Sequence, residues 1–311
     1  MAQGLWEKIL AKLDGGLAKY TLLNPISKGS MSVVYAGADS HSDVYAIKII
    51  NKDAKPLADR LTREYRKGKT EGELTCDLDH PNIVRGIEWG RSRKGEFLVM
   101  EMVKGELMRD RIGSIQEQIR AHDFSFLVRL GSALAYVHEC GYVHRDFSPR
   151  NVFVLPDGKP KLFDFGLTIL TEVAQDRAGN RTGAPSYMAP ELIRRLRTDH
   201  RTDIYSYGVM IFEVVTGRRP VQGEGTIEKI LQMLNTRIPE PREFLPDVDP
   251  KLNRVIVKAM QRDPRERWST VSELLDELKG MDRSGVNYEE EYTEHELRKQ
   301  QKQAQKTAAQ E

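Results

Sequence analysis

At 311 residues the chain is long enough to bury a sizeable core without disulfide or metal staples. Its 48 Lys and Arg against 46 Asp and Glu leave a formal charge of +2, which excludes the sequence-wide basic field of a nucleic-acid-coating protein. Cys76 and Cys140 lie far apart without a CxxC spacing and predict free, buried thiols in a reducing, cytoplasmic setting, and no apolar run reaches the ~20 residues of a membrane span.

In chain order, Leu5, Trp6, Ile9, Leu10 and Leu13 recur at helical spacing before Gly15 and Gly16, predicting an amphipathic extension over residues 1–18 that packs on the protein's own surface. Three β-rich runs follow, 21–26, 33–38 and 44–50, separated by Gly29-Ser30 and by residues 40–43, as in an antiparallel meander. Leu127, Leu130, Leu134 and Val137 then repeat at three and four residues, with Gly141 as a helix stop. Residues 152–155 and 161–163 predict a hairpin turned by Asp157-Gly158. Residues 204–216 and 252–260 read as buried helices, and Thr270 with Glu273 forms a capping box opening the last one. Residues 293–311 hold Leu297 as their one large apolar side chain, so the polar tail, 281–311, is expected to be either a solvated helix or disordered chain.

Four phrases carry chemistry. Residues 26–35, Ile-Ser-Lys-Gly-Ser-Met-Ser-Val-Val-Tyr, form a turn between strands in which Gly29 lets backbone amides approach a phosphate. In Val44-Tyr-Ala-Ile-Lys48, strand alternation puts Val44, Ala46 and Lys48 on one face, two apolar walls for a flat base with an ammonium in line beyond them. His144-Arg-Asp-Phe-Ser-Pro-Arg-Asn151 and Asp164-Phe-Gly166 bring two acids and an amide to irregular segments flanking the hairpin. Asn151 and Asp164 are hard oxygen ligands suited to Mg²⁺ on a nucleotide, and Asp146 is placed to take a proton from a hydroxyl nucleophile.

This ordered set resembles the eukaryotic-type (Hanks-type) protein kinase family over about residues 20–280. The resemblance implies an α+β, bilobal fold with a β-rich N-lobe (about 19–102) and a larger helical C-lobe (about 104–280). It also implies transfer of the γ-phosphoryl group of ATP, with Mg²⁺, to Ser/Thr hydroxyls of protein substrates. Leu98-Val-Met-Glu101 is similar to the strand leading to the family's hinge, with Met100 as gatekeeper and the backbone of Glu101 and Val103 facing adenine. By the same resemblance Ile26, Val34, Ala46 and Phe153 enclose the base, and Glu106 contacts the ribose. Glu64, Glu71 and Glu73 all precede His80-Pro-Asn, and the family's spacing singles out Glu71 as the partner of Lys48, with the other two as solvated charges. Ala189-Pro-Glu191, Asp203 and Arg267 resemble large-lobe motifs, implying an Arg267–Glu191 ion pair and an Asp203 brace for the catalytic loop.

Three departures bear on activity. Ser27 and Ser32 stand where the loop usually has Gly; Ser148 replaces the Lys of Ser/Thr-specific members; Ala184 replaces a Thr that bonds the catalytic Asp. Arg150, four residues after Asp146, offers a cation for developing phosphoryl charge, as in tyrosine-specific relatives. The alternative these departures motivate is a catalytically weak nucleotide-binding pseudokinase or scaffold. Family comparison also puts a regulatory phosphate near Gly179-Asn180, where the nearest hydroxyl, Thr182, is the expected autophosphorylation site.

Overall fold

In the computed structural model, which describes residues 16–177, 183–221 and 237–308, the amino-terminal half is a five-stranded antiparallel sheet. Its strands are β1 (Thr21–Lys28), β2 (Ser32–Ala38), β3 (Val44–Ile50), β4 (Gly86–Ser92) and β5 (Gly95–Glu101), in the order β1-β2-β3-β5-β4. The period of two in β3 divides its side chains between two packings. Ile47 and Ile49 join Leu17, Phe97 and Val99 on one face. On the other, Ala46 packs with Val84, Leu98 and Met100, so Lys48, paired across the sheet with Val34 and Leu98, points the same way.

The helical run between β3 and β4 is interrupted. Helix Lys55–Arg60 passes into a π-helical turn, Leu61–Tyr65, and the chain then leaves helix at Arg66. Lys67 and Gly68 take left-handed backbone, φ 50° and 94°, which reorients the chain before a second helix, Glu71–Asp77. Thr70 caps that helix: its hydroxyl accepts from the Glu73 amide while the Glu73 carboxylate takes the Thr70 amide. Glu73 is therefore a capping residue, not the solvated charge expected, and Glu64 instead pairs with Arg60 and Arg177.

The carboxy-terminal half packs helices Ser125–Glu139, Arg201–Thr216, Pro250–Ala259 and Val271–Lys279 into one core that continues to Leu74 and Leu78 of the amino-terminal half. Helix Arg201–Thr216 lies at its centre, apolar on nearly every side, and stops at Gly217 with φ 72°. Two small sheets line the surface facing the large one. One is β6 (Glu106–Leu107), β8 (Val152–Val154) and β9 (Pro160–Leu162); the other pairs β7 (Tyr142–Val143) with β10 (Ile169–Leu170).

Several expectations change. Cys140 is exposed and Cys76 half-buried, because the helix carrying Cys140 ends there at the surface. Thr270 does cap its helix, but the Glu273 carboxylate reaches the Ser269 amide, not that of Thr270. The tail holds a helix, Tyr288–Ala308, with Glu289, Glu290 and Glu291 in its first turn, where the helix dipole favours acids. Arg129 grips Glu291 with two 2.9 Å bonds, and His295 meets Asp79 at 3.2 Å, so the start of this helix is docked. The apolar stripe at Leu5–Leu13 lies outside the described residues. No helix among the described residues is long and apolar enough to cross a membrane.

Candidate active site

β3 delivers Lys48 into the gap between the two halves. Its ammonium lies 2.5 Å from Glu71 Oε1 and 2.8 Å from Asp164 Oδ1. Burial alone would weaken the ammonium, but Asp164 and Glu71 more than offset it and hold the Lys48 pKa well above the ordinary lysine value. Burial would likewise raise the Asp164 pKa, yet Lys48 and the Gly166 amide hold it down at about 2. Lys48 and Asp164 are therefore both ionised near neutrality. Asp164 occupies left-handed backbone, φ 67°, a strained conformation for a residue with a side chain.

Asp146 sits in the loop after β7, and its carboxylate accepts three kinds of donor. Arg150 Nη2 reaches both oxygens at 2.9 and 2.8 Å, Asn151 Nδ2 bonds Oδ2 at 2.8 Å, and the backbone amide of Ala184 bonds Oδ1 at 2.8 Å. The Thr and Lys that the resemblance would have put against Asp146 are thus replaced by a main-chain N–H and a guanidinium. Gly183 makes the amide contact possible: at φ 109°, a Cβ there would lie 2.8 Å from the Arg145 carbonyl and 3.1 Å from Asp146 Oδ1. Ser148 is sealed from solvent and its hydroxyl has no bond among the described residues.

Asp203 underpins this loop. Its carboxylate accepts the His144 and Arg145 amides at 2.7 and 2.8 Å and takes His138 Nε2 at 2.9 Å. Burial, the largest single influence, pushes its pKa up, but His138, His144 and the Arg145 amide together outweigh it and the result is a lowered value. Further down, Arg267 and Glu191 form a sealed bidentate pair, both bonds 2.7 Å, with Thr202 and three backbone carbonyls completing the shell.

The residues assigned to the base converge less uniformly. Ala46 and Met100 are buried together, with Val34, Val103 and Phe153 half-buried against them, and Phe153 stacks on Phe163 at 4.4 Å. Ile26 is 54% exposed at the rim. The Glu101 amide is already bonded to the Arg85 carbonyl at 3.0 Å, and its carboxylate holds Lys161 and the Arg85 amide. Glu106 is exposed on β6, where its carboxylate holds Arg111 at 3.0 Å. Gly29 lies at the β1–β2 turn, its amide bonded to Ser32 O at 2.9 Å, and Asn51 Nδ2 spans the Gly29 and Ser30 carbonyls at 3.2 Å each. Thr182 lies outside the described residues.

Three contributors carry no motif: Asn51, which braces the glycine loop; the Ala184 amide; and Arg66, whose buried guanidinium meets the backbone after Asp164. A backbone donor has no letter in the sequence. Asn51 and Arg66 each stand among other polar residues and look like surface positions.

The chain matches the protein kinase domain family over residues 20–278. It belongs to that family. It is 30% identical over 263 residues to the serine/threonine-protein kinase PrkC of Bacillus subtilis, covering 84% of this chain and 40% of that protein. A probable serine/threonine-protein kinase of Clostridium perfringens is 29% identical over 265 residues, 84% of this chain and 38% of its own length. PknL of Mycobacterium bovis is 30% identical over 258 residues, 81% of this chain and 63% of its own. The chain therefore spans less than two thirds of the length of each of these relatives, about two fifths for the first two.

Proposed function

We propose that this protein kinase domain transfers the γ-phosphoryl group of ATP to Ser/Thr hydroxyls of protein substrates, with the lobes at about residues 19–102 and 104–280. The observation that carries the reading is two preorganised carboxylates in the carboxy-terminal half: Asp164, tied to the other half by Lys48, and Asp146, fixed by Asn151, Arg150 and the Ala184 amide. The donor set fits Mg²⁺. Asn151 gives both bonds of its Nδ2 to Asp146, leaving its amide oxygen as a hard ligand, and Asp164 spends Oδ1 on Lys48 and Gly166, leaving Oδ2. A bound Mg²⁺ would neutralise charge on the phosphates.

In this reading Lys48, oriented by Glu71, holds the non-transferred phosphates, and the loop at Gly29, tethered by Asn51, covers them. Asp146 orients the acceptor hydroxyl and takes its proton late, because a loose phosphoryl transition state needs positioning and charge more than a strong base. Arg150 keeps Asp146 aimed, and its half-exposed guanidinium is near enough to meet phosphoryl charge when a hydroxyl takes its place on the carboxylate. Support for Ser/Thr acceptors comes from the names of the relatives and from Pro149, Gly183 and Pro185, which keep the frame of Ser/Thr-specific members. Autophosphorylation at Thr182 belongs to the same proposal.

The test is phosphosite mapping on a peptide library with ATP and Mg²⁺, alongside Asp146→Asn and Asp164→Asn. Phosphoserine and phosphothreonine are expected, with transfer lowered ~10²–10³-fold in each variant. Predominant phosphotyrosine overturns the acceptor class. Folded variants with undiminished transfer overturn the site, and wild-type protein that binds nucleotide without transferring supports the pseudokinase alternative. Intact mass of wild type and Thr182→Ala after incubation with ATP tests that site: equal phosphate gain in both removes it.

A further inference from the structure

Arg66 stands at the point where the interrupted helix breaks, five residues before Glu71, and is only 3% exposed. Among the described residues its guanidinium bonds no carboxylate. Nε donates to the Thr168 carbonyl at 2.7 Å, while Nη2 donates to the Phe165 carbonyl at 3.0 Å and to the Gly166 carbonyl. Three carbonyls within the four residues directly after Asp164 are thus held by one side chain from the other half of the molecule. An arginine stays charged at any working pH, and burying it is costly unless its donors are met, so these carbonyl dipoles must repay the loss of hydration.

The segment it grips needs an external support. Asp164 is held in left-handed backbone, and Gly166 is wedged so tightly that a Cβ would lie 3.1 Å from Asp164 Oδ1 and 3.4 Å from Glu71 Oε2. Strain of this kind persists only where the surroundings over-determine it. Residues 163–168 lie between β9 and β10 outside any strand or helix, and within them the Thr168 amide closes a turn on the Phe165 carbonyl at 3.1 Å. A lysine could neither span three carbonyls nor keep a fixed plane, whereas the guanidinium fork does both.

We infer that Arg66 is a positioning residue of the phosphotransfer site: by clamping the Phe165, Gly166 and Thr168 carbonyls it sets the orientation of Asp164 and locks it to the Lys48–Glu71 pair. The inference rests on the reading of Asp164 as the Mg²⁺ ligand. Because Arg66 and Glu71 flank the same chain reversal at Lys67 and Gly68, the clamp also ties movement of the Glu71 helix to movement of Asp164.

Arg66→Gln and Arg66→Lys test it in the full chain, with Arg177→Gln as control, since Arg177 pairs with Glu64 and lies over Tyr65 without touching residues 164–168. Both Arg66 variants are expected to lose kcat by about 10- to 100-fold, as misplacement of a reacting group by ~1 Å does, with peptide KM unchanged and more Mg²⁺ needed for half-maximal rate. Amide hydrogen exchange without nucleotide or metal should quicken at residues 165–169 in these variants and not in Arg177→Gln, and methylguanidinium should restore part of the rate to Arg66→Gln. Native exchange and native kcat in a folded Arg66 variant overturn the clamp. So does a loss of kcat that merely follows the unfolded fraction with unchanged Mg²⁺ demand. If Arg66→Gln does not fold, Arg66→Lys, which keeps the charge, carries the same comparison. Full transfer by Asp164→Asn would overturn the underlying site instead, whereas an inactive Asp164→Asn beside fully active Arg66 variants overturns the clamp alone.

Discussion

Two charged clusters lie in different parts of the same molecule, Lys48 with Glu71 and Asp164 in the cleft, and Arg267 with Glu191 in the carboxy-terminal half. Both bring opposite charges to within hydrogen-bonding distance. They differ in what surrounds them. Arg267 is wholly enclosed, its remaining donors go to the Gln261, Arg201 and Arg262 carbonyls, and its guanidinium lies 5.0 Å from the centre of the Tyr205 ring. Asp164 keeps 41% of its side chain exposed and an oxygen outside the triad's bonds. One cluster closes on itself and welds helix to loop. The other stays open on one side, where the Asp164 oxygen outside the triad's bonds is the one assigned above to the proposed Mg²⁺.

The comparison predicts opposite sensitivities. Arg267→Ala leaves Glu191 buried without its counter-charge, and the expected loss is about 3–5 kcal/mol of unfolding free energy by denaturant titration. An Arg267→Ala protein of native stability would show that the sealed pair is no weld. Lys48→Met should do the reverse: transfer falls ~10²–10³-fold while the unfolding midpoint moves little, because the methionine stem keeps the packing between Ala46 and Leu98 and the acids can turn to water. A variant that unfolds instead would erase the distinction between the clusters.

Acid sharpens the contrast within the cleft. The Asp164 carboxyl is at about 2 in the folded protein against 3.8 ordinarily, so the unfolded chain binds the proton first. Its stabilisation is complete above about pH 4 and is lost as the pH falls towards 2. The raised Lys48 pKa acts at the other end: its contribution is full below 10.5 and lost only as the pH climbs through the higher folded value. Unfolding free energy measured against pH should therefore fall less steeply between pH 4 and 2 in Asp164→Asn than in wild type. Parallel acid limbs would mean that Asp203, whose pKa is also lowered, dominates.

What could be read from the sequence follows from which interactions have letters. The β3 strand was legible because Val44–Ile50 alternates between two packings and ends at polar residues on both sides, and Glu71 because the resemblance to the kinase family implies an acid about nine residues before His80 as the partner of Lys48. Arg66 was not, because Arg60, Arg63 and Arg66 recur at helical spacing and look like one solvated face until Lys67 and Gly68 turn the last of them inwards. The Thr70–Glu73 capping box had the right letters, but competition with Glu71 for Lys48 drew attention away from it. Ala184 misled in a simpler way: the side chain that vanished was replaced by the N–H of the same residue.

The weakest contact to carry a prediction is the one that docks the last helix. Glu291 meets Arg129 through two parallel bonds and Lys159 at 3.2 Å, with Arg129 nearly covered and Glu291 about one-third exposed. The Arg129 bond is the first cause of its lowered pKa, so the pair is ionised at neutrality. Such a partly exposed bidentate pair is worth about 1 kcal/mol, more than an isolated surface bridge and far less than the Arg267 weld. Tyr288 also bonds Asp282, and Asp282 caps the amide of Phe124, so the first turn has a second anchor that Glu291→Gln leaves intact. That variant is accordingly expected to speed amide exchange in the helix from residue 291 onwards by roughly fivefold, the equivalent of about 1 kcal/mol, while the global unfolding midpoint stays put. Loss of the whole helix in Glu291→Gln, with Tyr288 still in place, would show that this one pair, and not the first turn as a unit, holds the tail against the domain.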